Sequence, residues 1–274
     1  MTKLDLQGFI INKIKADVID LTDENFEGLY SKWFNNEPSD KYIFNSNLVN
    51  KDNQSIPDEA YLLGVDLPYW FGDLNATNKK IMVVGIDPLR AESDFKQSDR
   101  KNDVIISTPY ALHFKDNHKE KNAYWAFVNQ LQSEHFVYLT DIYKTFFYVN
   151  KGASKVRSYV YNSGNRELKE CLRQTIYSEI EFLKPDIIIT FGGIAYSQLT
   201  GERSPKLSQN LEKTKTHLKV VDGYSVPVLP FLHLSGSTRG KNLDVFLKAN
   251  NVAIVEKSRA TYGRAYAEII SQHL

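Results

Sequence analysis

Ile81-Met82-Val83-Val84-Gly85-Ile86-Asp87-Pro88-Leu89-Arg90 is the stretch on which the fold turns. Its apolar run of four, rich in β-branched residues and preceded by Lys79 and Lys80, reads as a strand buried in a parallel sheet. Gly85 permits a backbone geometry that a side chain would forbid, and Pro88 has no N–H to continue a ladder. The strand should therefore stop at Gly85 and leave Asp87 on a tight loop at its C-terminal edge. Open α/β sheets keep their ligands at that edge. The competing role for Asp87 is structural, capping a following helix or bonding its own turn.

Outward from this stretch, strand-like runs alternate with helical ones. Residues 135–140, 186–191 and 226–232 read as three further strands, ending at Asp141, Gly192-Gly193 and His233. Helical spacing covers residues 122–132, 165–183, 194–199, 242–248 and 258–273, and Pro185 stops the second of these. Before the core, residues 6–36 suggest two helices split near Thr22. Residues 35–78 read as loop with an aromatic cluster, and residues 92–103 as a polar stretch of mixed charge before Val104-Ile105-Ile106. The expected fold is α/β, a three-layer sandwich around a central, mainly parallel four-stranded sheet. The expected division is a helical and loop extension at 1–78, packed on a core at 79–274 that ends in helices.

Bulk composition bounds the class. A chain of 274 residues with 42% hydrophobic content can bury a sizeable core. Its single cysteine, Cys171, rules out an internal disulfide and a cysteine-ligated zinc or iron–sulfur site within one chain. Charged residues near the start, and no apolar run approaching the roughly 20 residues of a membrane span, predict a soluble cytoplasmic protein with no membrane partner. The net charge of +1 conceals an asymmetry: residues 1–78 carry 6 Lys+Arg against 13 Asp+Glu, a net of −7, leaving +8 for the rest. A basic core half can attract a polyanion.

The site candidates come from topology. Parallel strands place their C-termini together, so Asp87, Asp141 and His233 should share one edge although they are far apart in sequence. Other chemistries lack their parts. No Gly-x-x-x-x-Gly-Lys-Ser/Thr loop, no Gly-x-Gly-x-x-Gly after a strand and no Gly-x-Ser-x-Gly elbow occurs, and Cys171 falls within a helix. Asp87, Asp141 and His233 have no metal-ligand spacing, so neither a metal nor another cofactor is expected.

These residues resemble the uracil-DNA glycosylase superfamily. Gly85-Ile86-Asp87-Pro88 is similar to its first motif, Gly-Gln-Asp-Pro, and Thr108-Pro109-Tyr110 to the Arg-Pro-Phe of an iron–sulfur-containing branch. Tyr138-Leu139-Thr140-Asp141-Ile142-Tyr143-Lys144 resembles Tyr-Ile-Thr-Asn-Val-Val-Lys. The run from Pro185 through Phe191 to Gly192 resembles a Pro-x-Ile-Ile-x-x-Leu-Gly strand, and His233-Leu234-Ser235 the second catalytic motif, His-Pro-Ser. The matches keep family order across residues 81–241. They depart from it at Asp141, where the family has Asn, and at Leu234, where it has Pro; the cluster cysteines are missing.

The resemblance implies a monofunctional DNA glycosylase of base-excision repair, a monomer acting on DNA from which the target base is flipped. Asp87 would orient the attacking water and His233 would donate to the base carbonyl. Ile86, Tyr110 and Asp141 would bind the base, Tyr110 by stacking. Ser235, Ser237 and Arg239 would grip phosphate or fill the vacated stack. An ionised Asp141 offers acceptors only, where Asn offers a donor and an acceptor, so a changed or relaxed base preference is expected. Two alternatives stay open: a glycosylase fold kept as a nucleic-acid-binding module without turnover, and a hydrolase of free nucleosides or nucleotides.

Overall fold

The computed structural model describes residues 3–19, 21–35, 37, 42–45, 60–75, 79–88, 103–149, 166–221, 223–235, 238, 240–254 and 256–274. The sequence readings for residues 92–102 and for Ser237 and Arg239 lie outside them. Two helices open the chain, α1 (Lys3–Asp17) and α2 (Asp23–Phe34). Thr22 divides them, as the periodicity predicts, because its side chain accepts from Asn25 N at 3.2 Å and caps α2.

The stretch expected to be loop contains strands instead: β1 (Tyr42–Asn45), β2 (Ala60–Asp66) and β3 (Tyr69–Phe71). β1 and β3 are too short to show a period. β2 shifts register against its partner between Leu62 and Gly64, which breaks the alternation that would have revealed it.

The remaining elements follow in order: β4 (Lys80–Gly85), β5 (Asp103–Ser107), α3 (Ala123–Gln132), β6 (Phe136–Asp141), β7 (Thr145–Val149), α4 (Arg166–Leu183), β8 (Ile187–Phe191) and α5 (Gly193–Thr200). β9 (Thr216–Val221), β10 (Tyr224–Phe231), α6 (Gly240–Ala249) and α7 (Arg259–Ser271) complete the chain. The four expected strands are β6, β4, β8 and β10, lying side by side and parallel. The sheet that contains them has six strands, not four, in the order β3-β6-β4-β8-β10-β9. β3 and β9 add to its two edges, antiparallel to β6 and β10.

Side chains alternate between the two faces of this sheet. Met82, Val84, Tyr138, Ile188 and Val228 point to one face, where Leu172, Ile176 and Ile180 of α4 pack together with α1, α2 and α5. Ile81, Val83, Leu139, Ile189 and Phe231 point to the other, covered by α3, α6 and α7. That is a three-layer arrangement. The helix on the second face sits close: a methyl group on Gly263 of α7 would collide with the carbonyl oxygen of Ala123, so α3 and α7 cross at a distance only glycine allows.

A second sheet, in the order β1-β5-β2-β7, grows from the C-terminal edge of the first. β6 leads to β7 and β2 leads to β3 through a few residues each, and Asp66 N donates to Lys144 O at 2.9 Å between them. Among the described residues no helix is long and apolar enough to cross a membrane.

Candidate active site

The pairing of β4 with β6 continues past the end of β4, with Ile142 N donating to Gly85 O and Tyr143 N to Ile86 O, both at 3.0 Å. Asp87 follows immediately. Ile86 is half-buried against the core. The carboxylate of Asp87 lies near enough to Tyr143 to help burial raise that phenol to about 12. The Tyr143 hydroxyl donates to Gln198 Oε1 of α5 at 2.7 Å.

Gly85 stands level with Asp141 in the neighbouring strand. Its backbone is not left-handed, which corrects the expectation of a special geometry there: among the described residues the left-handed glycines are Gly72, Gly192, Gly201 and Gly223. What position 85 needs is the missing side chain. A methyl group there would collide with Asp141 Oδ1 and lie 3.2 Å from the Tyr110 hydroxyl. The space above Gly85 therefore holds Asp141 and Tyr110 together.

Asp141 itself is 3% exposed. Behind it, the ammonium of Lys144 donates to the carbonyl oxygen of Asp141 and to Thr140 Oγ1 at 2.6 Å, and pairs with Glu179 Oε1 at 2.8 Å. Thr140 in turn donates to Glu179 Oε2 at 2.8 Å. Lys144 and Glu179 are 0% and 2% exposed, so this is a fully buried ion pair. Burial raises the Glu179 carboxyl above its ordinary range, and the lysine opposes that rise.

Tyr110 belongs to the 3-10 turn Pro109–Ala111, and both it and Ala111 have left-handed backbones, at φ 59° and 51°. Each costs about 1–2 kcal/mol in an L-residue, a strain typical of functional sites. The turn is tied down by Ala111 N donating to Thr108 O at 2.8 Å and by a 3.0 Å bond between Thr108 Oγ1 and His113 Nδ1. One face of the Tyr110 ring stacks on Tyr124 of α3, with centroids 4.0 Å apart and planes 11° from parallel. The rings of Phe191 and His233 stand steeply inclined to it, with centroids 5.9 Å and 6.3 Å away. Burial, then the nearby Tyr124, Asp141 and Asp66, holds its phenol well above the usual range.

His233 follows β10. Ser235 N, which can only donate, lies 3.1 Å from His233 Nδ1, and the Tyr124 hydroxyl lies 2.7 Å from the same nitrogen. Nδ1 must therefore carry a lone pair, and in the neutral ring the proton is on Nε2. Burial lowers the imidazole pKa below its ordinary value, which favours that neutral form. Arg259, at the start of α7, holds the following loop through two carbonyls, Ser235 O and Thr238 O, each at 3.0 Å.

Of the expected site residues, Asp141, Tyr110 and His233 come together around one ring cluster, with Asp87 and Ile86 on the loop beside Asp141. Ser235 is engaged through its backbone at both N and O. Tyr124, Arg259, Glu179 and Asp66 were not expected. Tyr124, Glu179 and Arg259 fall within segments read only as helices, and Asp66 within one read as loop, so nothing in the sequence marked them. Among the described residues, no three His, Cys, Asp or Glu side chains group as a metal site.

A family model described as the uracil DNA glycosylase superfamily matches residues 71–253. No curated protein matches the chain.

Proposed function

The chain belongs to the uracil-DNA glycosylase superfamily, and on that footing we propose that it is a monofunctional DNA glycosylase. It hydrolyses the N-glycosidic bond of a flipped uracil-like, deaminated or modified base and leaves an abasic site. The observation that carries this reading is the geometry of His233, whose Nδ1 is taken by Ser235 N–H so that Nε2 carries the proton it can donate.

Breaking this bond develops positive charge on the sugar and negative charge on the departing base, so a catalyst needs an anion at the first and a donor at the second. His233 Nε2–H serves as the donor to the base oxygen. Asp87 serves as the anion that orients water and stabilises the cationic sugar. β8 lies between β4 and β10, which sets the two strand ends about 10 Å apart, a span that accommodates a base with its sugar. Tyr110 stacks on the extruded base with the face not given to Tyr124. Stacking and pocket contacts offset the few kcal/mol of unstacking.

Asp141 selects the base. As a carboxylate it presents acceptors only, and facing uracil's O4 it leaves a buried mismatch worth about 1–3 kcal/mol, or a tenfold or greater loss. The base preference is therefore changed or relaxed relative to plain uracil. The test is a panel of oligonucleotides carrying uracil, hypoxanthine, xanthine and modified cytosines, treated with alkali to cut abasic sites. Scission with one of them supports the reading, as does a shift toward uracil in Asp141→Asn. Binding without scission across the panel, or unchanged relative rates in Asp141→Asn, overturns it.

A further inference from the structure

We propose that Tyr124 is the positioning residue of this site, holding the ring of His233 in place with its hydroxyl and the plane of Tyr110 with its ring. Its delivery is rigid. Asn122 caps α3, accepting from Tyr124 N at 3.0 Å and from Trp125 N at 3.2 Å, so Tyr124 leaves the first turn of a pinned helix. Phe191 closes the box, with its ring centroid 5.6 Å from Tyr124 and 6.1 Å from His233.

The hydroxyl has one role open to it. Nδ1 already faces the Ser235 N–H and so bears no proton, which makes Tyr124 the donor and Nδ1 a shared acceptor. Of the two donors, Tyr124 is the nearer, at 2.7 Å against 3.1 Å. Its oxygen is 3.5 Å from Nε2, the longer of its two imidazole contacts. A ring turned over would lose both bonds, and one protonated on Nδ1 would lose that from Ser235 N–H. Ser235 N–H sets the tautomer, and Tyr124 holds the ring in the orientation from which His233 presents Nε2–H.

The ring has a separate role. Stacked at 4.0 Å on Tyr110, it backs the one aromatic face expected to receive a base and supports a turn whose backbone is left-handed at two successive residues. One side chain thus sets the relative pose of the two groups that would contact the departing base.

The catalytic consequence rests on the glycosylase reading, whereas the geometric claim does not, and the experiment separates them. In protein labelled with 15N-histidine, the His233 ring should give an Nε2–H tautomer in the wild type. In Tyr124→Phe, which keeps the stack, the Nδ1 resonance should move toward that of an unbonded imine nitrogen. An Nδ1–H tautomer in the wild type, or an Nδ1 resonance unmoved by Tyr124→Phe, overturns the proposal whether or not any base is excised. With an excised base in hand, Tyr124→Phe should lower kcat about tenfold with KM little changed, and Tyr124→Leu should also raise KM because Tyr110 loses its backing. A rise in KM alone in Tyr124→Phe would contradict the role given to the hydroxyl. A panel without turnover refutes the glycosylase reading and leaves the NMR result to decide the geometry.

Discussion

Removing Glu179 strands a positive charge in the protein interior. Lys144 is fully buried, and its ammonium is matched by Glu179, Thr140 and the Asp141 carbonyl. In Glu179→Leu two neutral acceptors remain and the balancing charge is gone. Breaking a buried pair from one side costs about 3–5 kcal/mol, a large part of the roughly 5–15 kcal/mol that typically separates folded from unfolded chains. Urea unfolding followed by tryptophan fluorescence reads the loss, since Trp33 and Trp70 are buried. With a slope of about 3 kcal/mol per molar, the midpoint should fall by about 1–1.7 M. The double variant Lys144→Met/Glu179→Leu replaces both charges with apolar groups and should recover most of the loss. Refutation would be a Glu179→Leu midpoint within about 0.3 M of wild type, or a double variant no better than the poorer single.

The same pair fixes a pH dependence. The folded-state pKa of Glu179 is raised above its ordinary 4.5, so its favourable contribution is present below 4.5 and is lost as pH rises through the folded value. In Lys144→Met the opposing lysine is absent, so that decline should run to higher pH; a pH profile of stability parallel to wild type would contradict this. His233 has the opposite sign: its pKa lies below the ordinary 6.5, so the unfolded chain takes up a proton that the folded chain refuses. Stability from this group is complete above 6.5 and falls as pH drops through the folded pKa, and His233→Gln should remove that part of the slope in equilibrium unfolding. Gly85→Ala should lower stability by about 1–3 kcal/mol through overpacking, and an unchanged melting temperature would show that Asp141 yields freely. Lys184, left-handed at φ 47° just after α4, should gain about 1 kcal/mol on replacement by glycine. That is a melting temperature about 2–4 °C higher, and no rise would count against strain there.

The central strands are legible because burial on both faces leaves continuous apolar runs such as Ile187-Ile188-Ile189. β9 is not, since it faces solvent on one side and mixes His217 and Lys219 with Leu218. The Asp222-Gly223 pair before β10 is the local hairpin signal that could have revealed it. The same logic divides the site. Asp87, Asp141 and His233 can be found because topology alone puts strand ends on one edge. Tyr124, Glu179 and Arg259 arrive from helices packed across that edge, and which turn of a helix faces a strand end depends on tertiary contacts that no local pattern encodes. Gly85 was found for the wrong reason: its role lies in a neighbour 56 positions downstream, not in its own torsions.

The shared volume above Gly85 also constrains how such a protein can change over generations. Positions 85 and 141 draw on the same few cubic ångströms, so a lineage cannot enlarge the first before it has shrunk or turned away the second. The order of the two steps is thereby fixed. Gly85→Ala should accordingly be tolerated in an Asp141→Gly background where it is harmful alone, and a melting temperature equally depressed in both backgrounds would break the link.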